Sequence, residues 1–220
     1  MYPVRYTTPN PGAGRNRLTV FFRYILSIPW MIVAALYGFA ASFAVFFAWF
    51  AMVFTGRYPE GLYNFVAGYL RMITRVNGFF YYTTDEWPPF NGEEDPTYPV
   101  QLGIPAPKEE YSRMKALFRI IIGIPVIFLA AIQGFIAAVV GLIGWFAILF
   151  TGRLSDGLFT PLRSALAYQA RTAAYFSLIT EDWPPFTLED DTAAAGQLPP
   201  TPPAESAPPA ADPAQGEQRG

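Results

Sequence analysis

The sequence predicts an all-α integral membrane protein made by tandem duplication, and three observations carry that prediction. Residues 2–90 recur as residues 98–186 at a constant offset of 96 with no gap, and 33 of the 89 aligned positions are identical. Hydrophobic residues make up 52% of the chain and aromatic residues 17%, with neither Cys nor His. The apolar residues are concentrated, since residues 20–54 hold one charge, Arg23, and residues 116–150 hold only Arg119. Each block exceeds the roughly 18 apolar residues that mark a candidate bilayer span. A first block this long, this far from residue 1 and without a small-residue cleavage site does not read as a signal peptide.

The repeat period is too long for a solenoid, whose units run about 20 to 50 residues. The chain is therefore expected to hold a first membrane module at 2–90, a second at 98–186, and a tail at 187–220. That tail is Pro- and Ala-rich, cannot bury a core, and is expected to be disordered.

Each module opens on Tyr-Pro-Val, Tyr2-Pro3-Val4 and Tyr98-Pro99-Val100, read as a short extended segment before further prolines. A basic stretch follows, Arg15, Arg17 and Arg23 in one copy and Arg113, Lys115 and Arg119 in the other. Pro29 and Pro125 then kink or restart a helix, because proline removes a donor and crowds the preceding turn. As one helix, a 35-residue block would be about 52 Å long against a hydrocarbon core of about 30 Å. Two readings of it stand.

In the first, each block is a transmembrane helical hairpin. Basic residues flank both ends, which by the positive-inside rule puts both ends in the cytoplasm. Copies with equal flanking signals share an orientation, which needs an even number of crossings per copy. Tyr37-Gly38 and Gln133-Gly134 suit a turn at the far interface. In the second reading each block is one long, kinked, tilted helix. Small residues at helical spacing, Ala34, Gly38 and Ser42 with their counterparts Ala130, Gly134 and Ala138, favour close helix packing through that point.

Thr55-Gly56-Arg57 and Thr151-Gly152-Arg153 read as helix ends, with Gly in the left-handed cap and Arg complementing the helix dipole. Residues 60–82 follow as an amphipathic interfacial helix. Leu62, Phe65, Val66, Tyr69, Leu70, Ile73, Val76 and Phe80 share one face, with Asn64, Arg71, Thr74 and Arg75 opposite. In the copy Arg171 matches Arg75, and Arg163 lies one turn before the position of Arg71. Such a helix suits a cytoplasmic surface of anionic headgroups. Arg57, Arg71, Arg75, Arg153, Arg163 and Arg171 are therefore the candidate lipid-headgroup contacts. Trp87 and Trp183, each opening a Trp-Pro-Pro-Phe run, are the candidate interfacial anchors.

Catalytic chemistry is missing. Without Cys and His there is no thiolate, no imidazole base and no common zinc site. Neither apolar block carries an Asp or Glu of the kind proton relays use. No Gly-Lys-Ser/Thr phosphate loop occurs. The acidic pairs Asp85-Glu86 and Glu181-Asp182 lack the divergent environments that acid/base pairs need. No catalytic, cofactor-binding or metal-binding residue is assigned, and the protein is expected not to be an enzyme.

Ile-Pro early in a long apolar block, Trp-Phe-Ala and Phe-Thr-Gly-Arg at its end, an amphipathic helix and then Trp-Pro-Pro-Phe resemble the bacterial membrane family named domain of unknown function 4389. The resemblance covers residues 2–186, is most specific over 49–57 and 145–153, and departs at Leu154-Ser155, where the first copy has Tyr58-Pro59. It implies a bacterial envelope setting and no activity. The expected function is that of a non-enzymatic, multi-pass inner-membrane scaffold or accessory subunit with a basic cytoplasmic surface and cytoplasmic termini. Its expected partners are the lipid bilayer, anionic lipids in particular, and a second copy or another membrane protein, with no nucleic acid. The alternative is a small oligomeric pore or passive transport protein.

Overall fold

The computed structural model describes residues 2–10 and 14–185. Phe186 and the tail at 187–220 lie outside the described residues. In chain order the elements are β1 (Arg5–Thr7), α1 (Arg17–Leu26), α2 (Ile28–Thr55), α3 (Glu60–Phe80), β2 (Gln101–Gly103), α4 (Arg113–Leu117), α5 (Arg119–Ile122), α6 (Ile124–Thr151) and α7 (Asp156–Phe176).

Asn16 starts α1 by accepting hydrogen bonds from the Leu18 and Thr19 amides, and Ser112 does the same for α4 through Lys115. The break between α1 and α2 at Ser27 is shallow. Ser27 keeps helical dihedrals, its hydroxyl donates to the Arg23 carbonyl at 2.7 Å, and Pro29 sits in the first turn of α2, where its missing N–H costs nothing. Arg17–Thr55 and Ile124–Thr151 are helices long and apolar enough to cross a membrane. Gly56 (φ 73°) and Gly152 (φ 72°) close them as left-handed caps.

The hairpin reading is thereby corrected. The helix runs unbroken through Gly38 and Gly134, and Gly38 serves packing and not turning. A Cβ on Gly38 would lie 2.8 Å from the Tyr69 hydroxyl, so the absent side chain lets α3 approach α2. The small-residue ladder is real but shifts by one position along the helix. Ala34, Ala41, Ala44 and Ala48 are buried, whereas Ser42 and Ala138 face outward.

The expectation of a surface-lying amphipathic helix is also corrected. α3 is enclosed between α2 and β2, and Tyr37 of α2 and the backbone at Gly92 both close on Gly68. The later part of its polar face is covered too, Thr74 being 4% and Arg75 3% exposed, while Asn64 stays exposed. A Cβ on Gly92 would overlap the Gly68 backbone, and backbone cannot swing aside as a side chain can. Gly92→Ala is therefore expected to destabilise the fold by about 1 to 3 kcal/mol, read as a lowered midpoint in detergent-solubilised thermal unfolding. An unchanged midpoint would contradict this packing.

The two copies are joined by reciprocal exchange. β1 and β2 pair antiparallel, Arg5 opposite Gly103, Tyr6 opposite Leu102 and Thr7 opposite Gln101. Gln101, Leu102 and Gly103 are the counterparts of Arg5, Tyr6 and Thr7, so the ladder is symmetric about Tyr6 and Leu102. A pseudo-twofold axis passes there, and other contacts obey it. The Arg15 amide donates to the Gly152 carbonyl at 3.0 Å, and the Tyr111 amide to the Gly56 carbonyl at 2.8 Å. The Trp49 indole donates to the Ala116 carbonyl at 2.9 Å, and the Trp145 indole to the Val20 carbonyl at 3.1 Å. Tyr2 reaches the Asp182 carbonyl, and Tyr98 the Glu86 carbonyl. Each opening segment thus packs on the other copy. The end of each long helix meets the start of the other, so the two helices run antiparallel.

Three layers result. The long helices form one, α3 and α7 pack behind them, and the β ribbon lies over α3 and α7, with Val4 and Val100 fully buried beneath it. Burial also raises the phenols of Tyr2, Tyr58 and Tyr98 above their ordinary value. The unfolded chain then gives up these protons first, so stability is intact below about pH 10 and falls as the pH rises further. Alkaline titration is expected to show tyrosinate absorbance appearing together with loss of helical circular dichroism. Ionisation of Tyr2, Tyr58 or Tyr98 in a chain that stays folded would contradict this.

Candidate functional site

The apolar exterior is an extensive surface feature. Among the described residues, all the exposed large apolar side chains but Phe65, Trp87, Phe90 and Trp183 lie between Leu18 and Phe54 or between Met114 and Phe150. Along α2 the exposed large apolar residues are Ile28, Met31, Ile32, Leu36, Phe39, Phe43, Phe46, Phe47, Phe50 and Phe54, while Ala34, Ala41, Ala44, Ala48 and Met52 turn inward. Both long helices therefore point a continuous apolar face away from α3 and α7. A surface of this extent on a folded chain marks contact with lipid or protein.

The opposite side is charged at the same level. Tyr37 and Gly38, near the middle of the Arg17–Thr55 run, pack on Gly68 and Tyr69, and Gly68 meets Gly92. Glu93 and Glu94 follow directly and are exposed, the Glu94 side chain by 77%. Carboxylates thus stand behind the midpoint of the apolar helix, not beyond its ends.

The lone charges of the apolar blocks, read from the sequence as flanking cations, hold the fold together. Arg23 is fully buried, and its guanidinium donates to the Phe79 carbonyl at 2.8 Å, to the Thr84 carbonyl at 2.9 Å and to the Asp85 carboxylate. Its carbon centre sits 4.5 Å from the Phe79 ring centroid. Arg15 joins the same carboxylate at 2.8 Å and also donates to the Tyr82 carbonyl. Burial pulls the Arg15 guanidinium below its ordinary pKa, and Asp85 opposes that shift. In the second copy Arg119 donates to the Thr180 carbonyl at 2.8 Å and lies 4.2 Å from the Tyr175 centroid. Tyr111 stands where the first copy has Arg15, and Glu181 instead accepts from the Ser112 amide and Lys108. The signal for Arg23 and Arg119 was present in the sequence, because a single charge at one repeat position of each apolar block needs a partner inside the protein.

The six candidate headgroup arginines separate into two groups. Arg71 pairs with Glu94 at 2.6 Å, and Arg75 donates to the Glu93 carbonyl and lies over Tyr98. Arg171, 1% exposed, takes the equivalent place over Tyr2, and Arg163 is half-buried on α7. Arg57 and Arg153 are exposed, each just after a glycine cap. Trp87 and Trp183 are about half exposed at 47% and 52%. Phe90 stacks on Trp30 and Trp87 packs against it at a tilt, and the Trp30 indole donates to the Pro88 carbonyl, so this aromatic cluster borders the start of α2. Among the described residues no group of His, Cys, Asp or Glu is placed to hold a metal ion.

No curated protein and no solved structure matches the chain. Residues 17–91 and 113–187 each match the family described as Domain of unknown function (DUF4389). Both matches begin at the first helix of a copy, α1 or α4, and leave out the opening segments that the copies exchange. The chain belongs to this family and carries two tandem copies of its domain.

Proposed function

We propose that the protein is a non-enzymatic component of the bacterial inner membrane, a scaffold or accessory subunit, embedded in the cytoplasmic leaflet by one face and crossing it nowhere. The observation that carries this reading is the opposition of the apolar face to Glu93 and Glu94 at the same level of α2. With α2 upright in a bilayer, these exposed carboxylates would sit near mid-depth, where a charged residue costs about 3 kcal/mol on the most lenient scale. With α2 lying in the membrane plane, its apolar face sinks about 5 to 10 Å into the leaflet and the carboxylates stay in water. The pseudo-twofold axis then runs along the membrane normal, so both copies take the same orientation, as their equal flanking charges require. Zero crossings satisfy the even number that the duplication demands, and both termini stay cytoplasmic. The pore is the weaker reading, because Ser27, Tyr37 and Ser42 each donate their hydroxyl to a backbone carbonyl of their own copy.

Single cysteines placed in this Cys-free chain at Arg17, Arg57 and Glu94 test sidedness. All three are expected to resist an impermeant thiol reagent in intact cells and to react in inverted inner-membrane vesicles. Reaction at Arg17 and Arg57 from opposite sides would overturn the one-leaflet reading.

A further inference from the structure

We infer that the protein holds two phosphodiester headgroups of anionic phospholipid, one at each junction between the copies, with one arginine from each copy at each site. The inference rests on the one-leaflet reading and names the lipid that this reading places beside the protein. At one junction the Arg113 side chain lies over the Gly56 cap, its Nε 3.4 Å from where a Cβ would stand and its Nη2 3.4 Å from the Thr55 carbonyl. Arg57 follows that cap directly, its amide donating to Thr55 Oγ1 at 3.2 Å. At the other junction Arg17 lies over the Gly152 cap, with Nε 3.3 Å and Nη2 3.4 Å from the Cβ position. Arg153 follows it, its amide donating to Thr151 Oγ1 at 3.4 Å. All four arginines are exposed, and among the described residues none forms an ion pair, although Glu60 and Asp156 begin the next helices.

Each pair stands at an end of the apolar face. Phe54 (71% exposed) and Met114 (62%) flank the first pair, and Phe150 (78%) and Leu18 (68%) the second. Two guanidinium groups at the edge of an acyl-chain surface match a phosphodiester carrying acyl chains, because arginine forks fit phosphate oxygens and headgroups lie at that depth. Neither copy supplies both arginines of a site, so the sites exist only where two modules are joined.

Native mass spectrometry of the full chain, solubilised from vesicles of mixed phosphatidylglycerol and phosphatidylcholine, tests this. Two retained phosphatidylglycerol molecules are expected, one in the double variant Arg17→Gln/Arg153→Gln, and none when Arg57→Gln and Arg113→Gln are added. Each single substitution is expected to weaken retention about fivefold to tenfold, while Arg5→Gln, an exposed arginine away from both junctions, leaves it unchanged. Equal retention of phosphatidylcholine, or retention indifferent to the four substitutions, overturns the inference. Displacement of the lipid by soluble glycerol phosphate at millimolar concentration assigns the sites to a free phosphate and overturns it also. Two lipids retained by a chain whose Arg17 and Arg57 positions label from opposite sides leave the sites standing and remove the one-leaflet reading alone.

Discussion

Arg23→Met is expected to destabilise the protein by about 3 to 5 kcal/mol, the loss typical when one member of a buried charged network is removed. Methionine fills much of the arginine volume, so the effect isolates the lost hydrogen bonds. The Phe79 and Thr84 carbonyls would then be buried without their donor, and Asp85 would keep only Arg15. These carbonyls belong to the turn that ends α3, where Tyr82 takes a left-handed conformation (φ 63°) with its side chain buried. The turn therefore depends on donors from outside itself. Arg119→Met is expected to cost less, about 2 to 3 kcal/mol, since Arg119 holds one carbonyl and one ring and no carboxylate at ion-pair distance. Unfolding followed by circular dichroism in a mild detergent measures both, and equal losses would mean that the Asp85 bridge contributes nothing.

The second large effect concerns membrane attachment. Phe39→Asp with Phe135→Asp places one carboxylate in each half of the apolar face, at positions 67% and 72% exposed, so neither change disturbs the core. A carboxylate inserted among acyl chains costs about 2.5 to 3.5 kcal/mol, and two of them oppose insertion by about 5 to 7 kcal/mol. The double variant is expected to leave the membrane pellet after mild alkaline extraction while keeping its helical spectrum. The reverse change on the opposite face, Glu93→Gln with Glu94→Gln, is expected to leave attachment unchanged. Release by the second pair and not the first would show that the polar side faces lipid.

Much of the fold was legible because the repeat doubled each signal. The sequence marks Gly56 and Gly152 as left-handed caps and Pro29 and Pro125 as kinks or restarts, and its helix at 60–82 ends within two residues of α3. What escaped the sequence was pairing between distant segments. Tyr37-Gly38 carries a turn signal locally, and only the approach of Tyr69 from a separate helix shows why glycine is needed there. α3 reads as amphipathic from its own pattern, yet Arg75 meets the Glu93 carbonyl and Tyr98 from segments that follow. Periodicity reports a polar face without saying whether water or protein covers it. The exchange of opening segments was hidden for a related reason, because a repeat states which residues are equivalent and not whether they touch their own copy or the other. Arg57, Arg153, Arg17 and Arg113 are all visible as cations in the sequence, and the approach of Arg113 to the Gly56 cap and of Arg17 to the Gly152 cap emerges only when the copies meet.

Depth along α2 tests the embedding most directly. Nitroxide labels at Ile28, Phe43 and Phe54 sit on the exposed face and span about 39 Å of helix at 1.5 Å per residue. In liposomes of bacterial lipid, collision with oxygen and with a water-soluble relaxation agent gives the immersion of each label. Embedding in one leaflet gives nearly equal, shallow immersion at all three positions and the same result at Ile124, Val139 and Phe150 of the second copy. A deep central label between two shallow ones would establish a crossing helix and contradict the account.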